Sequence, residues 1–294
     1  MNRYRVRHRT TYRYSDPVLS SHHSTHVIPR DCPRQRVNSS TMAITPTPEH
    51  IHRYRDFADN VVCDFNIVSS YQECSVQVDS VVEVEPAPNI FPPDKAALQS
   101  WQDWQAHCRN LDWDQRQHIA DYVRPSPATP WEPSVITWSK STFTPNRPLT
   151  EAVLELNQRI FQEFTYQPGV TDIDTPLATV MVQRQGVCQD FAHLMVAALR
   201  AHGIPTRYVS GYLETFPAPG QERLVGADAS HAWVSAWLPV LGWVDFDPTN
   251  SLVVGERHIT TAWGRDYHDV TPLKGIVVGG GVHSVEVAVD VESA

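Results

Sequence analysis

Three residues of this chain have the types and settings that acyl transfer through a thiol requires. They are Cys188 in Gly186-Val187-Cys188-Gln189-Asp190, His231 in His231-Ala232-Trp233, and Asp247 in Asp247-Pro248-Thr249. A thiol attacks a carbonyl as thiolate, so its pKa must be lowered by an imidazole, by a helix N-terminus, or by both. The periodicity Cys188, Phe191, Leu194, Met195, Ala198, Leu199, ended by Gly203 and Pro205, predicts a helix that begins at the cysteine. In its first turn, unpaired N–H groups and the macrodipole favour an anion by ~0.3 to 1 kcal/mol. The same N–H groups can bond a developing oxyanion. The competing reading is a buried cysteine that opens a core helix; Gly186 weakens it, because glycine there leaves the backbone uncrowded for something to approach.

His231 stands on an alternating run whose apolar face is Ala232, Val234, Ala236 and Leu238, while His231, Trp233, Ser235 and Trp237 share the other. If the chain folds back on a hairpin centred at Pro239, Asp247 falls opposite His231, whereas a one-residue slip sends it to the wrong face. Asp245 has the same parity and is the rival, but Pro248 ends the strand next to Asp247. A carboxylate at that place would fix the imidazole tautomer and leave the other ring nitrogen for the thiol. Trp233 is a candidate substrate contact. Gln183, Gln189 and Tyr166 are candidates for a second oxyanion donor, each equally readable as a capping or core residue. Asp190 either binds a cationic substrate group or is an exposed carboxylate that the helix dipole welcomes.

Several elements must hold these residues. Up to residue 86 the pattern is short alternating runs broken by turns, clearest in Val76, Val78, Ser80, Val82 and Val84, and it predicts a small β-sandwich over 1–86. Residues 87–148 read as a connector. It holds a helix capped by Asp94 and carrying Leu98, Trp101 and Ala106, a second short helix over 115–123, and a stretch punctuated by Pro125, Pro127, Pro130 and Pro133. The core, residues 149–294, opens with a helix capped by Thr150, continues with one capped by Thr175 and stopped at Gly186, and then gives the nucleophile helix. Strands follow over 206–213, 231–238 and 243–247, with more in the tail over 275–289. Helices first and strands after make an α+β fold with the nucleophile helix packed on an antiparallel sheet.

The 294 residues are 41% hydrophobic with no uninterrupted apolar stretch of membrane-spanning length, so no membrane partner is expected. Residues 1–8 are basic and lack the apolar core of a secretory signal, which gives a cytoplasmic expectation. A net charge of -9 argues against nucleic acid as a partner. The charge is uneven, however, since residues 1–60 carry ten Arg against five Asp or Glu. Arg3, Arg5, Arg7 and Arg9 would form one face of a strand, either a solvated edge or a dock for an acidic protein or peptide substrate. Five cysteines in no regular spacing give neither a disulfide framework nor a zinc ribbon. His22, His23 and His26 lack an accompanying carboxylate or Cys at ligand spacing, so no metal or other cofactor is expected.

Longer motifs add a resemblance. Phe164-Thr165-Tyr166, Arg184-Gln185 leading into Gly186–His193, Gly203-Ile204-Pro205 leading into Thr206–Tyr212, His231-Ala232-Trp233-Val234, Gly242-Trp243-Val244-Asp245-Phe246-Asp247-Pro248-Thr249 and Gly264-Arg265-Asp266-Tyr267 resemble the transglutaminase-like superfamily. Within it they are similar to bacterial proteins that join an N-terminal β domain to a transglutaminase-like core. The resemblance covers most of residues 150–275 and implies a papain-like Cys-His-Asp arrangement at Cys188, His231 and Asp247. It also makes Arg265, Asp266 and Tyr267 candidates for lining the cleft. The implied activity is a metal-independent cysteine hydrolase of peptide or isopeptide-like amides. The alternatives are a transamidase of the protein-glutamine gamma-glutamyltransferase type and a non-catalytic peptide-binding module. Substrate choice is expected to lie on loops such as 214–230.

Overall fold

The computed structural model describes residues 1–91, 99–215 and 229–294. Alternation of small apolar and polar residues near the N-terminus makes strands β1 (Asn2–Thr25), β2 (Gln35–Thr45), β3 (His50–Arg55), β4 (Val61–Ile67) and β5 (Tyr71–Val84). β1 is long enough to serve two layers. Residues 2–13 pair with β5, whereas residues 21–25 pair with β4, and the ladder is irregular between Arg13 and Val18. Folding the sheet over in this way brings Phe65 and Ile67 of β4 against Cys74 and Val76 of β5 and half-buried Met42 and Ile44 of β2, the sandwich-like core expected for this region.

The connecting region carries α1 (Trp101–Arg109), α2 (Trp113–Gln117) and α3 (Pro133–Ser139). Ser100 caps α1 by accepting from the Asp103 amide; Asp94, the expected cap, lies outside the described residues. The proline-rich stretch still holds one short helix because Pro133 takes its first position, where a missing N–H costs nothing. Next come α4 (Leu149–Glu163), β6 (Thr165–Tyr166), α5 (Leu177–Gln183), β7 (Gln185–Gly186) and α6 (Cys188–Ala201). α5 stops earlier than Gly186. Arg184 turns left-handed (φ 54°) and frees Gln185 and Gly186 to pair with Thr165 and Tyr166.

Strands β8 (Thr206–Leu213), β9 (Ala229–Leu238), β10 (Gly242–Asp247), β11 (Leu252–Val253) and β12 (His258–Gly264) make an antiparallel sheet in the order β11-β10-β9-β8-β12. Its apolar face, with Ala232, Val234, Ala236 and Leu238, packs in one cluster with Phe191, Leu194, Met195, Ala198 and Leu199 of α6. The last strands, β13 (Leu273–Gly279) and β14 (His283–Ser293), depart from the expected division at residue 149. Both pair with β1, so the tail completes the N-terminal sheet rather than the core sheet. That exchange ties the two ends of the chain together. Val289 and Val291 of β14 join Tyr4 and Val6 of β1 over Tyr212 and Ile259 of the core sheet.

Side-chain amides of the N-terminal region also dress the outer edge of β12. Gln35 donates to the Thr260 carbonyl and accepts from the Thr260 amide, both at 2.8 Å. Asn60 does the same for Trp263, at 2.8 and 2.9 Å. Two amides thus stand in for a neighbouring strand at Thr260 and Trp263.

Candidate active site

Cys188 is the first residue of α6, behind Val187 in an extended conformation. The start of the helix is held by Asp190, whose Oδ2 accepts from the Val187 amide at 2.8 Å and from Thr171 Oγ1 at 2.7 Å. Asp190 is therefore buried, and burial outweighs these two bonds to raise its pKa. The exposed-carboxylate reading is overturned, because the side chain is buried with its bonding oxygen on the helix start. Gly186 is explained by the same contact: a Cβ there would stand 2.7 Å from Asp190 Oδ2. What approaches the glycine is the helix's own capping carboxylate.

His231 lies near the start of β9 and Asp247 at the end of β10. Gly242 pairs with Leu238 and Phe246 with Val234, so the hairpin centres on residue 240 and not 239. Parity survives: one step past the last pair, Asp247 shares a face with His231 and reaches it diagonally, Nε2 donating to Oδ2 at 2.8 Å. That leaves Nδ1 as the ring nitrogen free for Cys188, whose side chain acts on His231 to raise its pKa. Asp245, the rival, accepts from the Trp233 indole at 3.0 Å.

A fourth residue belongs to the cluster. His258 of β12 donates from Nε2 to the same Asp247 Oδ2 at 3.0 Å and stacks edge-on against Trp233 at 5.2 Å. Asn250 Nδ2 adds a bond to Oδ2 at 2.7 Å, and the Thr249 and Asn250 amides bond Oδ1. Asp247 is fully buried, and burial alone would raise its pKa, but the two imidazoles outweigh that and hold it well below the usual carboxylate range. Burial alone would likewise lower His231, yet its bonds to Asp247 and Cys188 raise its pKa to about 10. At His258 burial prevails and the charge on His231 adds to it, so its pKa is lowered. Of two histidines on one carboxylate, His231 is the charged one and His258 the neutral donor.

His231, Asp247 and His258 offer ligand atoms within 4.8 Å of one another, a spacing that a metal ion could use. The donor set argues otherwise. Asp247 already accepts five N–H bonds, and a metal would have to displace the imidazole protons that make two of them. The other histidine cluster is dispersed: His23 stacks on Phe65, and His26 meets the Thr271 carbonyl and Asp56.

Cys188 and His231 open into a cavity of about 550 Å³ together with Gln189 and Tyr267. Tyr166 is half exposed and packs edge-on against Phe191 near the cysteine. The remaining candidates stand elsewhere. Trp233 is fully buried behind the histidines. Asp266 is buried and accepts from the Ala128 and His268 amides. Arg265 is paired with Asp269 at 2.8 Å. Gln183 is exposed at the end of α5. Most of the loop expected to carry substrate choice, residues 216–228, lies outside the described residues. Sequence reading passed over His258, which carries no motif, and the wall formed by His8, Thr10 and Tyr12 of β1 with Val285, Val287 and Val289 of β14. Because His8, Thr10 and Tyr12 face the cavity, Arg5, Arg7 and Arg9 point from the opposite face of the sheet.

Comparison with known proteins agrees with this architecture. Residues 136–248 match the transglutaminase-like superfamily core, and residues 4–83 match the bacterial transglutaminase-like N-terminal region. An uncharacterised protein of Mycobacterium tuberculosis is 40% identical over 295 residues, spanning 99% of this chain and 92% of its own. An uncharacterised protein of Mycobacterium leprae is 34% identical over 99% of both. A protein-glutamine gamma-glutamyltransferase of Pseudomonas aeruginosa is 40% identical over 102 residues, 33% of this chain and 15% of that one. The crystal structure of a candidate cysteine protease from Cytophaga hutchinsonii shares the fold, with a TM-score of 0.77 at 21% identity over 99% of this chain and 90% of that one. With both of its regions matched and relatives above 30% identity along nearly its whole length, the chain belongs to the transglutaminase-like superfamily.

Proposed function

We propose that the protein is a cysteine-dependent hydrolase of peptide or isopeptide-like amide bonds. The observation that carries this reading is a Cys188 at a helix start that lines one cavity with an imidazole anchored on a buried carboxylate. Cys188 Sγ attacks the amide carbon while the N-terminal amides of α6, that of Cys188 among them, bond the developing oxyanion. His231 Nδ1 gives its proton to the leaving nitrogen, the C–N bond breaks, and a thioester remains on Cys188. Water then attacks the thioester and gives a proton to His231. The C–S bond breaks, releasing the acid and restoring the thiolate. Asp247 keeps Nε2 engaged throughout, so Nδ1 stays aimed at sulfur.

The partial identity to a protein-glutamine gamma-glutamyltransferase favours a second reading, in which an amine resolves the thioester. Mapping iodoacetamide labelling at about pH 6 tests the chemistry common to both. Preferential modification of Cys188, abolished by His231→Ala, is expected; labelling no faster than at Cys32 or Cys108 would remove the enzymatic reading. Partition of a thioester formed from an acyl donor between water and added hydroxylamine then separates hydrolysis from transfer.

A further inference from the structure

The wall that β1 and β14 contribute to the Cys188 cavity has a chemical character of its own. Among the described residues that line the cavity there is no Asp, Glu, Lys or Arg. The apolar face of β14 runs continuously outward from the core. Val289 and Val291 are buried against Tyr212 and Ile259, whereas Val285 and Val287, next on the same face, are 54% and 50% exposed. Their cross-strand partners are Tyr12 and Thr10, and Leu273 and Tyr267 line the same cavity. His8, beside them, is pushed down to about 4 by burial and carries no charge at neutral pH.

We propose that Val285, Val287 and Tyr12 form the subsite for the acyl donor, and that it takes an uncharged aliphatic side chain next to the scissile amide. This rests on the acyl-transfer reading of Cys188 and gives that site its substrate class. Cys188 and the open valines line one cavity, so a donor whose carbonyl reaches Cys188 can lay an aliphatic group on them, which covers them without leaving a charge desolvated. A carboxylate or ammonium on the donor would lose its water against a wall whose described residues carry no counter-charge. The same logic disfavours a lysine-like acceptor and favours water.

The test uses the full chain and dipeptidyl chloromethyl ketones that differ only in the residue beside the ketone: Leu, Glu or Lys. Cys188 sulfur displaces chloride to give a thioether, and mass spectrometry reads the second-order rate, expressed relative to iodoacetamide for each variant. The Leu reagent should react about tenfold faster than the Glu and Lys reagents, or more, since even one methylene in an apolar pocket is worth about 10- to 200-fold. Val287→Asp should erase the preference and raise the Lys rate. Val287→Ala, which introduces no charge, should narrow it and serves if the first variant fails to fold. Equal rates, or a preference that neither variant alters, would overturn the subsite while leaving Cys188 chemistry intact. A Cys188 inert to iodoacetamide would take down the acyl-transfer reading and this one with it.

Discussion

His231 and His258 donate to the same oxygen, Asp247 Oδ2, at 2.8 and 3.0 Å. One imidazole faces the cysteine, while the other comes from an edge strand that the N-terminal region clamps through Gln35 and Asn60. A carboxylate held from both sides cannot swing away from His231 without stranding a buried donor, so His258 is a positioning residue for the pair.

Replacing His258 with Ala removes a donor to a buried carboxylate and should cost about 1 to 3 kcal/mol of stability. It should also slow iodoacetamide labelling of Cys188, because His231 loses a fixed anchor. His258→Gln, which keeps an N–H in the same region, should recover part of both. Urea midpoints and labelling rates measured on the two variants check this, and unchanged values in the Ala variant would contradict it.

Asp247 and Asp245 should separate cleanly. Asp247→Asn replaces the acceptor for His231 with an amide and should reduce the labelling rate of Cys188 by orders of magnitude, since the wrong tautomer is then favoured. Asp245→Asn weakens the bond to the Trp233 indole and removes a charge that acts on buried Arg207 and on His258, but leaves the His231–Asp247 bond in place. It should keep most of the rate, with a stability loss of about 1 kcal/mol. A larger rate effect at Asp245 would reverse the assignment.

The pH dependence of stability carries the signature of the His231–Asp247 pair. His231 rises from 6.5 to about 10 on folding, so its contribution is complete below 6.5 and is lost as pH rises through about 10. Asp247 is depressed below 3.8, so its contribution is present above 3.8 and is lost as pH falls through its lower folded value. The stability difference between the wild type and His231→Gln should therefore be greatest near pH 5 to 6 and shrink steadily towards about pH 10, as read by urea denaturation. A difference that grew with pH would show that His231 is held neutral.

At the start of α6, Gly186 and Asp190 should be energetically coupled. Gly186→Ala puts a methyl group 2.7 Å from Asp190 Oδ2 and should destabilise by about 1 to 3 kcal/mol. Asp190→Ala loses the bonds to Val187 and Thr171, at about 0.5 to 2 kcal/mol for a lost cap. The double variant should cost clearly less than the sum, because the second change removes what the first collides with. Strict additivity in thermal melts would mean that the glycine answers to something else.

Much of this was legible along the chain. The start of α6 at Cys188, the parity of β9 and the closing strand of the hairpin all follow from local rules: helical period, alternation and a proline stop. The register was off by two residues, and the error was harmless because a two-residue shift restores the face of every side chain. Asp190 departs from expectation for a reason of the opposite kind. A carboxylate in a first turn is usually solvated, and only the packing of Thr171 and Gly186 around it makes it a buried cap.

The sequence by itself determined where Cys188, His231 and Asp247 stand, because each sits in an element whose geometry is set by neighbours a few residues away. What only the tertiary structure decided is what surrounds them. His258 reaches Asp247 although β8 and β9 stand between β12 and β10 in the sheet, and β14 walls the cavity because the C-terminal strand returns to pair with the first strand. Neither the side-chain contact between strands that are not neighbours in the sheet nor the pairing of strands more than 250 positions apart leaves a periodic trace in the chain, since each side is an ordinary amphipathic strand until the other is packed against it.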